Sequence, residues 1–188
     1  MKKFFVAAIA FLLLSAQAQA VPFSGTQLDK MFFDVGQVQT QSTFALDAAG
    51  FKEKFNARVI PILKEAMGTD DVSAMEHLFL VKNYQIIGDT FTNIFGDYRV
   101  AVIGRLAADG KFEVLSFYYT TPEERDESIF TIWLMTAFVK SIAPEVNPQT
   151  LMNELTAENS SGTVVTDGVK FSISEEGNLN TLTIVSEE

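Results

Sequence analysis

Between positions 47 and 67 the apolar residues Phe51, Phe55, Val59, Ile62, Leu63, Ala66 and Met67 recur at steps of three and four, with charged residues between them. That period lays one apolar stripe along a helix whose other faces meet water. Gly68 follows the stripe and suits the left-handed turn that commonly closes a helix. Pro61 falls inside the pattern, where it removes a donor and crowds the preceding turn, so a kink or a division into two helical pieces is expected.

The period then shortens. Leu78-Phe79-Leu80-Val81, Tyr84 to Ile87, Phe91 to Phe95, Tyr98 to Leu106 and Lys111 to Tyr119 are rich in β-branched and aromatic residues, and Gly88-Asp89, Gly96-Asp97 and Asp109-Gly110 punctuate them. This is the pattern of an antiparallel meander. Asp109-Gly110 suits the positive φ angles of a tight hairpin turn between two long strands. In the strand after it, Phe112, Val114, Ser116 and Tyr118 share one face, and Glu113, Leu115, Phe117 and Tyr119 share the other. Both faces carry apolar groups, so a second layer or a partner is expected over the outer one.

Thr121-Pro122-Glu123-Glu124 has the composition of a capping box with proline at the first helical position, which predicts a helix over 122–142. Its acidic first turns complement the helix dipole, and the run from Ile129 to Ile142 is apolar nearly all round. Pro144 ends it, and Asn147-Pro148 opens a shorter helix through Leu155. From Val164 to Val185, short strands alternate with turns at Asp167-Gly168 and Glu175 to Asn178, which closes a C-terminal hairpin. Val21 to Thr43 is polar and glutamine-rich, and reads as an extended arm or a first edge strand docked by Met31-Phe32-Phe33. Together these elements predict an α+β domain over 47–188: an antiparallel sheet, a meander plus a C-terminal hairpin, with helices packed on one face. Residues 21–46 are the arm, and no internal repeat is present.

The first 20 residues have a different character. Lys2 and Lys3 precede an apolar run from Phe4 to Leu14, and Ser15 to Ala20 supplies small residues with Ala18 and Ala20 at the positions a signal peptidase requires. This predicts a cleaved secretory signal peptide. The run is too short to span a bilayer, and Ile129 to Ile142 is also short, so no stable membrane insertion is expected after cleavage. Export implies the periplasm in a Gram-negative host and the extracellular space otherwise.

Composition narrows the chemistry. The 188 residues carry 24 acidic and 14 basic side chains, 17 Phe, one His and no Cys, at a net charge of −10. Loss of two lysines with the signal takes this to −12. The aromatic content is enough for a core, and the acidity argues against a nucleic-acid partner. Without cysteine there is no disulfide, thiolate metal site or cysteine nucleophile, and one histidine leaves no multi-histidine centre. Neither a nucleophile elbow, a calcium loop nor a glycine-rich phosphate loop is present. Accordingly no catalytic residue, metal ligand or cofactor is assigned.

His77 reads as a strand-end histidine without a placed partner. The acid pairs Asp70/Asp71, Glu123/Glu127 and Glu175/Glu176 could in principle divide acid and base roles in a carboxylate-only hydrolase, but each is explained by a turn or a helix start. The aromatic residues remain. Tyr98, Phe117 and Tyr119 form the candidate binding face of an exported, non-enzymatic interaction module, an inhibitor or adaptor with a protein partner in the cell envelope. As an alternative, Ile129, Trp133 and Phe138 would line the pocket of a carrier for a small apolar ligand or lipid.

Overall fold

A computed structural model describes residues 23–40, 42–96, 99–122 and 124–187. The expected signal peptide, residues 1–20, lies outside these residues, as do Tyr98 and Glu123. Helices α1 (Gly25–Gln37), α2 (Ala48–Met67), α3 (Glu76–Phe79), α4 (Arg125–Ile142) and α5 (Pro148–Leu155) accompany seven strands. The strands are β1 (Gln85–Ile87), β2 (Thr90–Phe95), β3 (Val100–Leu106), β4 (Phe112–Thr120), β5 (Thr163–Thr166), β6 (Val169–Glu176) and β7 (Leu179–Ser186). They form one antiparallel sheet in the order β1-β2-β3-β4-β7-β6-β5. The α+β class, the meander and the C-terminal strands are therefore as the residue pattern predicts. The long α4–α5 crossover brings the last strand back beside β4, with Leu182 opposite Phe117.

Strand alternation divides the interior in two. On the first face, Val100, Val102, Leu115, Phe117, Leu182 and Ile184 meet Phe51, Phe55, Leu63 and Phe138 of α2 and α4. The ring of Phe51 lies 5.5–6.2 Å from those of Phe55, Phe91, Phe112 and Phe138, mostly edge to face, the arrangement aromatic quadrupoles favour. Gly104 is required here. A Cβ at this position would stand 2.7 Å from the Phe112 ring and 2.9 Å from Leu115.

Several local expectations are corrected by long-range partners. Residues 25–37 are a helix, not an extended arm or edge strand: Ser24 Oγ accepts from the Gln27 amide at 3.2 Å and Gln27 Oε1 accepts from the Ser24 amide at 2.9 Å, a complete capping box. Helical spacing turns Met31 and Val35 inward and leaves Phe32 and Phe33 outside, so the docking contact is Met31 without its two aromatic neighbours. α2 continues through Pro61 as one helix, capped by the Asp47 side chain on the Gly50 amide at 2.7 Å and closed by Gly68 at φ 65°. Pro61 and Ala57 both lie on the exposed side of the helix, where a lost backbone hydrogen bond costs least.

Leu78-Phe79 belongs to the short α3, not a strand. The Asn56 side chain holds the Val81 backbone at both ends, 2.9 Å from its amide and 3.1 Å from its carbonyl, and ties the segment to α2. The capping box expected at Thr121 does not form. Asn180 Nδ2 donates to Thr121 Oγ1 at 2.9 Å, and α4 starts after Glu124 with no side-chain cap. At the β3–β4 turn only Gly110 has positive φ, 80°, and the register shifts at Arg105/Leu106. Asp167-Gly168, at 53° and 70°, is the Asp-Gly pair with both residues left-handed.

Candidate binding cleft beside the first helix

The second face of the sheet is built differently. Ala101, Ile103, Val114, Tyr118 and Val185 form a small apolar cluster under Met31 and Val35 of α1. Two polar devices hold the helix down. At its end, Arg105 donates to the carbonyls of Val35 and Gly36 at 3.1 Å each and of Val38 at 2.9 Å, while its Nε meets Glu113 at 2.6 Å. A guanidinium can do this because its planar fork carries five donors, and the last carbonyls of a helix have no partner of their own. In the middle, the Tyr118 hydroxyl donates to the Met31 carbonyl at 3.1 Å, and burial raises the phenol far above its ordinary value, so it stays a neutral donor.

Further along, β6 and β7 turn hydroxyls toward this face. Ser172 stands opposite Thr183 and Ser174 opposite Thr181, and Ser116 and Thr183 share a hydrogen bond of 3.0 Å. Between this polar strip and α1 runs a cleft of about 330 Å³, bounded by Lys30 and Asp34 on the helix, Tyr118, Ser174, Thr181 and Thr183 on the floor, and the end of β6 at the rim, where the Glu176 side chain meets Lys30. Lys30 Nζ lies 2.9 Å from Glu176 Oε2 and 2.9 Å from Asp34 Oδ2. Glu176 and Asp34 together raise the ammonium above the usual lysine range of 10.5. With the Lys30 ammonium against the Asp34 and Glu176 carboxylates, the cleft is net negative.

The residues singled out in the sequence fall elsewhere. Tyr98 lies outside the described residues. Phe117 is wholly buried in the first-face core, 5.4 Å from Phe138, because it shares a strand face with Leu115 beneath α4; it offers no surface to a partner. Tyr119 is half-buried beside it at 6.0 Å, its phenol raised by burial and by the charge of Glu175. Ile129 and Trp133 are half-buried on α4, with Trp133 6.0 Å from Phe79, and Phe138 is enclosed by Phe51 and Phe117.

His77 is exposed on α3. Asp70 pairs with Lys64 at 3.2 Å, Asp71 accepts from the Ser73 amide at 3.0 Å, and Glu127 pairs with Arg99. Each acid thus has a local partner. Among the described residues no group of three His, Asp or Glu side chains is placed to hold a metal ion, and no helix is long and apolar enough to cross a membrane.

α1 and the strands facing it carry a faint sequence signal: the Ser24-x-x-Gln27 box, the Lys30/Asp34 spacing of four, and alternate hydroxyls at Ser172, Ser174, Thr181 and Thr183. No protein-family model matches the chain, and neither the curated proteins nor the solved structures include a match to it.

Proposed function

We propose that the chain is an exported, non-enzymatic interaction module, an inhibitor or adaptor that binds a protein partner in the cell envelope through its α1 side. One observation carries this reading. Phe32 and Phe33 are 41% and 65% exposed on the outer surface of α1, and Phe33 stands one turn from Lys30 at the mouth of the acidic cleft. An exposed aromatic beside a charged rim has the composition of an interface centre, where a few aromatic anchors supply most of the binding energy and surrounding charges steer the encounter. The net acidity of the chain favours a basic partner. A hydrolytic role for the cleft carboxylates draws no such support, since Glu176 is 71% exposed and an effective acid catalyst needs desolvation.

Native mass spectrometry of the full chain taken from its own host envelope tests the reading. The expected result is a second polypeptide at fixed stoichiometry, bound about tenfold or more weakly by a folded Phe33→Ser variant. A bare monomer, or a monomer carrying a small apolar molecule, would overturn it, the latter in favour of a carrier.

A further inference from the structure

We propose that the cleft beside α1 receives an arginine side chain of a basic polypeptide, whose guanidinium takes the place of Lys30 between Asp34 and Glu176. The proposal rests on the protein-binding reading and supplies its recognition chemistry. At about 330 Å³ the cleft is at the small end of ligand pockets and roomy enough for one side chain. Its walls are polar: hydroxyls of Ser174, Thr181 and Thr183 on the floor and carboxylates at the mouth.

A cation position already exists there. Lys30 Nζ sits 2.9 Å from a carboxylate oxygen on each side, so the chain fills with its own ammonium a place built from two acids on different elements, α1 and β6. The Lys30 side chain is 33% exposed and its partners Asp34 and Glu176 are 35% and 71% exposed, so it exchanges with an incoming cation at little cost. A guanidinium fits better than a second ammonium. Its planar fork can bond two carboxylates at once, where an ammonium acts as a point charge.

The test titrates the full mature chain with a blocked Gly-Arg-Gly peptide, followed by amide shifts in NMR, with the citrulline peptide and spermidine as controls. Expected are shifts concentrated at Lys30, Ser174, Thr181 and Thr183, with the uncharged citrulline peptide bound at least about tenfold more weakly. Glu176→Gln should weaken the arginine peptide about fivefold and Lys30→Met should tighten it about fivefold, opposite signs that a merely structural role would not produce. Equal binding of citrulline, shifts placed elsewhere, or indifference to both variants would overturn the proposal. Spermidine binding as tightly as the peptide would overturn the polypeptide source. A partner retained unchanged by Glu176→Gln and Lys30→Met in native mass spectrometry sinks the cleft and leaves the interaction reading standing. Arginine-peptide binding without any envelope partner does the reverse.

Discussion

On the first face of the sheet Phe51 touches four other aromatic rings within 6.2 Å, whereas on the second a single 13-residue helix rests on Met31 and Val35 and is held by one arginine, one tyrosine and one lysine. The two faces use different physics. Apolar burial is non-directional and grows with area, so the α2–α4 side draws its strength from many contacts and is little affected by charge. The α1 side depends on a few directed hydrogen bonds whose loss exposes helix-end carbonyls. The weaker face is also where the cleft and the exposed aromatics lie, consistent with binding surfaces being drawn from the less stable parts of a fold.

The largest effect should come from the first face. Phe51→Ala should cost about 3–5 kcal/mol in urea unfolding and take both faces down together, since the sheet is common to them. Retention of α1 protection after that loss would break the idea that α1 depends on the sheet. Arg105→Ala comes next: it leaves three carbonyls and Glu113 without their partner and should cost about 1.5–3 kcal/mol. Hydrogen exchange locates the cost. The amides of α1 should exchange faster while those of Val102 and Leu115 keep their protection, and uniform acceleration would show one cooperative unit instead of two faces.

The smallest effect is electrostatic. Because Glu176 and Asp34 raise the Lys30 value above 10.5, its contribution is complete below the ordinary lysine value and lost as pH climbs through the raised one. At two faces of partial exposure this amounts to less than about 1 kcal/mol. Urea midpoints of the wild type and Lys30→Met should therefore differ near neutral pH and converge at strongly alkaline pH. A constant gap would show that the lysine stem, not its charge, holds α1.

Elements with a strong period were legible in the residues alone. The stripe Phe51, Phe55, Val59, Leu63 and Ala66 became the buried face of α2, and β2 to β4, α5 and the C-terminal strands fall where alternation and Asn147-Pro148 put them. Where the pattern misled, a distant partner decided. The adjacent Phe32 and Phe33 hide the α1 stripe, since they resemble a docking run while Met31 and Val35 alone go inward. Asn56 draws Leu78 to Val81 out of the sheet, and Asn180 takes the hydroxyl of Thr121 that would have capped α4.

Phe117 turned inward for a related reason. Alternation assigns Phe117 and Tyr119 to one face, but which face receives α4 depends on how the crossover returns β7 to β4. The sequence by itself determined the α+β class, the long helices, the meander and the acidic balance, because local period, turn residues and charge are properties of neighbours along the chain. Only the tertiary structure decided that α1 crosses the second face and makes a cleft there. That site joins the two ends of the chain, with Gln27 and Asn178, 151 positions apart, meeting at 3.0 Å, and no local pattern encodes a contact between residues so far apart.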